Sequence, residues 1–189
     1  MKTAGRSSLV SLRTFAPILF VAILFAVFAL LPACKGKEAP LQKKASSAIV
    51  GNKAPGFTLK DVNGRSVSLA DFSGKVLIID FWATWCGPCK GATQELEKLY
   101  GRYKEKGVII IGISMDEGNA AQKVKGFAGA HGLTYLMLLD DGQTSKSYAV
   151  RNIPATFILD KDHIIRKIYP GYLPALGTRI AEQVDSVLR

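Results

Sequence analysis

Apolar residues recur along this chain with three spacings, and each predicts a different element. Unbroken, β-branched runs at Val76-Leu77-Ile78-Ile79-Asp80 and from Val108 to Ser114 predict strands buried on both faces. Alternation in Phe57-Thr58-Leu59-Lys60 and Ser66-Val67-Ser68-Leu69, around Asp61-Val62-Asn63-Gly64-Arg65, predicts a hairpin with Asn-Gly turn chemistry. Helical spacing runs from Gln94 to Tyr100 and from Ala120 to His131, where Val124, Phe127 and Ala128 share a face and Gly132 closes the helix. It returns from Leu173 to Leu188, with Leu176, Ile180, Val184 and Val187 on one side. Between these lie a strand from Tyr135 to Leu139, a short helix from Ser145 to Val150, and a hairpin from Ile153 to Tyr169 that turns at Asp160-Lys161-Asp162-His163. Strands interleaved with helices place the chain in the α/β class.

The N-terminus follows a different pattern. Lys2, Arg6 and Arg13 precede the apolar run from Phe15 to Leu31, broken only by Pro17, and this is the layout of an export signal. The run ends in Leu31-Pro32-Ala33-Cys34, which resembles the lipobox of bacterial lipoproteins, with Pro32 where a small or β-branched residue is usual. The resemblance implies a diacylglycerol thioether on Cys34 and removal of residues 1–33. An uncleaved anchor, or an ordinary signal that leaves Cys34 free, are the alternatives, and all three place the remainder outside the cytoplasm. Residues 34–48 form a basic tether, with Lys35, Lys37, Lys43 and Lys44 against Glu38, suited to lie against anionic headgroups. Residues 49–189 are then the folded domain. The formal charge is +10, but the lysines are scattered and no nucleic-acid motif accompanies them, so a solvated basic surface and no nucleic-acid partner are expected.

The candidate chemistry is the pair Cys86-Gly87-Pro88-Cys89, at the junction between the first buried strand and a helix. At a helix N-terminus, free N–H groups and the macrodipole favour a thiolate, which makes Cys86 the attacking sulfur. Cys89 lies one turn behind and can attack a mixed disulfide formed at Cys86. Structural zinc needs four ligands, whereas the only other cysteine is Cys34 and the histidines, His131 and His163, are isolated; no metal is expected. His131, at a helix end, is read as a capping or surface residue. A purely structural disulfide would constrain little, since its loop is two residues long. Asp80 ends a buried strand, so it is either a carboxyl of raised pKa fit for proton transfer or a carboxylate at the strand's solvent end bonded to amides.

Asp80-Phe81-Trp82-Ala83-Thr84-Trp85-Cys86-Gly87-Pro88-Cys89-Lys90 resembles the active-site segment of the thioredoxin superfamily. With Glu95 to Tyr100 and Tyr103 to Glu117, it is similar to the membrane-tethered TlpA/ResA-type thiol-disulfide oxidoreductases, relatives of the AhpC/TSA redoxins, over Ile49 to Arg189. The resemblance implies a three-layer α/β thioredoxin fold with a mixed sheet, an added N-terminal hairpin and a strand-helix insertion at Tyr135 to Val150. It makes Asp80 the proton acceptor for Cys89 through water, and Pro154 a cis-proline that faces the pair and keeps metals off it. Trp85 and the backbone of Ile153 would hold an extended substrate segment. Three positions depart from the pattern: Ala92 and Gln94 stand where a glutamate and a proline are usual, and Gly112 falls where thioredoxin has a lysine near its aspartate.

The expected function is an extracytoplasmic thiol-disulfide oxidoreductase with the Cys86–Cys89 dithiol as its redox centre and no cofactor. Gly87-Pro88 is the dipeptide of reducing thioredoxins, which points to a disulfide reductase for exported proteins, apocytochrome c among them, fed by a membrane-embedded thiol donor. Two alternatives differ in class. A peroxiredoxin-type peroxidase would need threonine and proline where Ala83 and Ile79 stand, with Thr84 out of register; a copper-delivery module would need a C-x-x-x-C pair and a distal histidine.

Overall fold

The computed structural model describes residues 48–189; the expected signal segment, Cys34 and almost all of the tether lie outside the described residues. The elements run β1 (Thr58–Asp61), β2 (Ser66–Ser68), β3 (Val76–Trp82), α1 (Gly87–Tyr103), β4 (Val108–Ser114), α2 (Ala120–His131), β5 (Leu136–Leu139), α3 (Thr144–Ser147), β6 (Ala155–Leu159), β7 (Ile165–Pro170) and α4 (Leu176–Leu188). One mixed sheet takes the order β2-β1-β5-β4-β3-β6-β7. The pairs β3–β4 and β4–β5 are parallel, while β6, β7 and the β1–β2 hairpin add antiparallel edges. Every residue of β3 is buried, because β3 is an interior strand, between β4 and β6, with both faces covered.

The two faces are covered unequally. The crossovers β3-α1-β4 and β4-α2-β5 step the same way across the sheet, and one handedness for both puts α1 and α2 on the same face. α4 joins them there: Leu96, Val124, Ile180 and Val184 belong to one core with Val76, Ile78 and Trp82. The opposite core is built on Leu77, Ile79 and Phe81 and is closed by Phe57, Leu69 and Tyr148, from shorter segments. This is the thioredoxin architecture, an α/β fold with a mixed sheet, with its long helices gathered on one side.

Register places a polar row beneath α1. Met137, Gly112, Asp80, Thr156 and Tyr169 are successive partners across β5, β4, β3, β6 and β7. Asp80 is therefore not at a solvent end; β3 continues through Phe81 and Trp82, and the Asp80 side chain is fully buried.

Several element ends differ from the sequence expectation for local reasons. The last helix starts at Leu176 rather than Leu173, because Pro174 precedes Ala175, which sits at φ 56. The short helix starts at Thr144, where Asp141 Oδ1 accepts from the N–H groups of Gln143 (3.0 Å) and Thr144 (2.7 Å), and it cannot extend to Val150 because Ala149 turns to φ 54. Tyr135 falls just outside β5 but is buried with it.

Candidate active site

The cysteines sit where β3 hands over to α1. Cys86 is the N-cap of α1, with φ −86 and ψ 106, Gly87 and Pro88 occupy the first turn, and no acid enters that turn to compete for its N–H groups. Cys86 and Cys89 form a disulfide, and the Cys89 N–H donates to Cys86 Sγ at 3.2 Å. Cys86 keeps 8% of its surface exposed and Cys89 none, so only Cys86 can meet another protein. The Ile153–Pro154 peptide is cis, and Cys86 Sγ lies 3.8 Å from Ile153 O. Trp85 stands out from the loop, 69% exposed, and Ile153 is half-buried.

Below the pair, Asp80 Oδ1 accepts from Thr156 Oγ1 at 2.8 Å, while Oδ2 is buried without a protein partner. Burial pushes the Asp80 carboxyl up from 3.8 to about 7, a rise the Thr156 hydrogen bond only partly opposes. Asp80 shares its face of β3 with Trp82 and Ile78, whose core includes Cys89. Ala92 is fully buried, so no carboxylate enters from that position of α1. Gln94 points elsewhere, its Nε2 donating to His131 O at 3.0 Å. His131 is stacked on Phe127, and His163 Nε2 lies 3.0 Å from Phe72 O.

Two features of the site escape sequence reasoning. The first is Asp116, buried just past β4. Its Oδ2 accepts from the Thr84 N–H (2.9 Å) and Ser114 Oγ (2.7 Å), and its Oδ1 from Thr84 Oγ1 (2.6 Å), which fixes the loop before Trp85. No sequence signal marks it: only the register that sets Ser114 opposite Trp82 brings Ser114-Met115-Asp116 beside the loop. Replacing Asp116 by Ala strands these donors, and unfolding in denaturant is expected to show a loss of about 2–4 kcal/mol, with D116N between it and the parent. Equal midpoints and slopes for all three chains would remove Asp116 from the loop's support.

The second is the segment after β7. The Gly171 N–H donates to Pro154 O at 2.7 Å, and the Tyr172 ring lies over Gly91, where a Cβ would stand 3.0 Å from its Cζ. Glu95 of α1 holds this segment, accepting from Tyr172 Oη at 2.7 Å and from the Gly177 N–H. Tyr172 is 42% exposed, so two of the large exposed apolar side chains, Trp85 and Tyr172, flank the redox pair.

This geometry has counterparts among known proteins. Residues 50–168 match the AhpC/TSA family. The chain is 34% identical over 173 residues to the thiol-disulfide oxidoreductase ResA of Bacillus thuringiensis subsp. konkukian, covering 88% of this chain and 95% of that one. It is 36% identical over 142 residues to ResA of Bacillus cereus, covering 74% and 77%. The thioredoxin domain of a thiol-disulfide oxidoreductase from Bacteroides vulgatus superposes with a TM-score of 0.64 at 28% identity, over 76% of this chain and all of that one. These matches, over a chain whose Cys86–Cys89 disulfide sits at a helix N-terminus facing a cis-proline, make it a member of the AhpC/TSA family and, within it, of the ResA-type thiol-disulfide oxidoreductases.

Proposed function

We propose that this oxidoreductase works as a disulfide reductase for exported proteins, on the outer side of a cell membrane to which lipidated Cys34 ties it. The observation that carries the reading is the asymmetry of the pair: Cys86 keeps 8% of its surface at a helix N-terminus between Trp85 and Ile153, while Cys89 is sealed beneath it. In the reduced state the helix end favours a Cys86 thiolate, which attacks one sulfur of a substrate disulfide and expels the other as a thiolate. An extended substrate strand lies along the Ile153–Pro154 backbone, with Trp85 and Tyr172 supplying apolar contact on either side. Cys89 then gives its proton towards Asp80 and attacks Cys86 Sγ; the Cys86–Cys89 disulfide forms and the second substrate sulfur leaves. The dithiol is the whole redox centre, no metal or cofactor entering the scheme.

Regeneration requires two electrons from a membrane-embedded thiol carrier, since the compartment is oxidising. Apocytochrome c, whose paired thiols must be reduced before haem attachment, is a substrate of the right chemistry. The flanking aromatics suit a polypeptide, and no nucleic-acid partner is invoked. A peroxidase reading is disfavoured by Thr84, whose hydroxyl is committed to Asp116 rather than available to a peroxide at Cys86.

The reduction potential of the full-length chain, equilibrated in glutathione or dithiothreitol mixtures, tests the direction. A reductase is expected near the roughly −270 mV of thioredoxin; a value near the roughly −120 mV of a strong periplasmic oxidant would reverse the assignment.

A further inference from the structure

Three of the four buried polar side-chain atoms without a protein partner, among the described residues, converge on one place. They are Asp80 Oδ2, Trp82 Nε1 and the Tyr135 hydroxyl. Gly112 brings them together. It is the register partner of Asp80 on β4, and a Cβ there would stand 2.8 Å from Met137 Sδ, 2.9 Å from Trp82 Nε1 and 3.2 Å from Tyr135 Cε2. Trp82 reaches Gly112 from the row above and Tyr135 from the row below, into space that any larger residue would occupy. Two are obligate or available donors, an indole N–H and a phenol O–H; the third is an acceptor. Buried groups of this kind are bonded to something, and where the protein offers no partner a buried water is the usual one.

We propose that Trp82 and Tyr135 hold a buried water on Asp80 Oδ2, and that Tyr135 is through it a positioning residue for the dithiol reaction. The inference rests on the reading of Asp80 as the proton acceptor for Cys89. In the resolving step the Tyr135 hydroxyl turns about its C–O bond and releases a lone pair of the water; the S–H bond of Cys89 breaks as its proton passes to that lone pair, and the water gives one of its own protons to Asp80 Oδ2. The freed Cys89 pair forms the bond to Cys86 Sγ, and the substrate sulfur departs with the electrons of the bond that breaks. No outside oxidant or reductant is needed.

The arrangement also explains how Asp80 functions with no cation opposite it, since Gly112 supplies none. Asp80 has Thr156 on β6 and Gly112 on β4 as its register partners, and its face of β3 lies on the core that holds Trp82, Tyr135 and Cys89; none of these is cationic. Around Tyr135 stand Glu97 and Tyr100 of α1, Lys125 of α2, and the Asp61–Arg65 pair of the hairpin. Burial first, then the Asp80 and Glu97 charges, hold the Tyr135 phenol well above its ordinary pKa, so it stays a donor wherever Asp80 titrates. Neutral donors that bond the charged form take the place of a counter-charge.

The test is Tyr135→Phe in the full-length chain, which removes one oxygen and keeps the ring. Asp80 titration is followed by its carboxyl band in infrared spectra, assigned with Asp80→Asn, and by the acid limb of the kcat/KM profile for a protein disulfide. Loss of a donor to the carboxylate is expected to raise both midpoints by about one pH unit, a tenfold change in the ionisation constant. A merely structural role for Tyr135 would move neither. Wild-type midpoints in Tyr135→Phe, with a profile that Asp80→Asn abolishes, would overturn the inference and leave the Asp80 reading standing. An unchanged profile in Asp80→Asn would remove both. If Tyr135→Phe does not fold, the parent chain decides: its spectra must contain an internal-water O–H band that shifts in oxygen-18 water on reduction, and absence of that band overturns the proposal.

Discussion

A Cys89→Ser chain, presented with a protein disulfide after full reduction, is expected to stop at the mixed disulfide. Cys86 retains everything its attack requires: exposure, the N-cap position and the unobstructed first turn of α1. What disappears is the intramolecular second step. Oriented groups held one helical turn apart react with effective molarities far above any thiol in solution, so even a discounted advantage predicts turnover reduced by about 10³-fold or more. A millimolar external thiol can only attack the mixed disulfide in a bimolecular step, far slower than a thiol held at that effective molarity, and so does not make up the difference unless added in large excess. The covalent adduct should accumulate stoichiometrically on non-reducing gels and release on adding dithiothreitol. Cys86→Ser should capture nothing, since the remaining thiol has no route to a substrate. Equal capture by the two variants would mean that both sulfurs reach the surface and that the assignment of attacking and resolving thiols is wrong.

The division between what the sequence reveals and what it conceals follows from the range of the interactions. Val76 to Asp80 and Val108 to Ser114 announce themselves because strands buried on both faces need no alternation, and Ala120 to His131 because Gly132 takes φ 63 as a C-terminal glycine should. The Cys86 site is local too, a strand end and a helix start within ten residues. The cis bond at Pro154 came from family resemblance alone; nothing in Ile153-Pro154-Ala155 distinguishes it from a trans proline. Asp116 is 32 residues from Thr84, and Glu95 is 77 from Tyr172, so these supports exist only once the crossovers have been made. Gly112 is the clearest example. In the sequence it is an interruption in a β-branched run and a lysine gone missing; in the fold it is the space, beside the register partner of Asp80, that Met137, Trp82 and Tyr135 close onto. Unequal coverage of the sheet was hidden for the same reason, since it depends on the direction in which successive crossovers step.

Asp80→Asn should separate stability from activity by pH. In the native chain the carboxyl is held near 7 by burial, against 3.8 for an ordinary aspartate. Below 3.8 both folded and unfolded chains carry the proton, and the neutral side chain contributes its full share of stability. Between about 4 and 7 the unfolded chain ionises while the folded one does not, so stability is lost progressively as pH rises through the native value. Above 7 both are ionised and the loss levels off. A gap of about three pH units corresponds to about 4 kcal/mol, the difference that unfolding measurements at pH 3 and pH 8 should show in the parent relative to the variant. The amide is nearly isosteric and never ionises, so Asp80→Asn should match the parent in acid and exceed it in base. Activity should run the other way. Removing a positioned proton acceptor is worth about 10² in rate at the low end of general acid–base effects, and the titration near neutrality should vanish from the resolving step while Cys86 alkylation is unaffected. Parallel stability curves for the two chains would show that bulk solvent solvates this carboxylate as fully in the folded chain as in the unfolded one, and would end its role as a buried base. Divergent curves with undiminished turnover would leave Asp80 a destabilising carboxyl with no part in the chemistry. The expected result has both effects, because the burial that costs stability above neutral pH is, on the proposed reading of Asp80, the same burial that poises its carboxyl to take a thiol's proton near neutral pH.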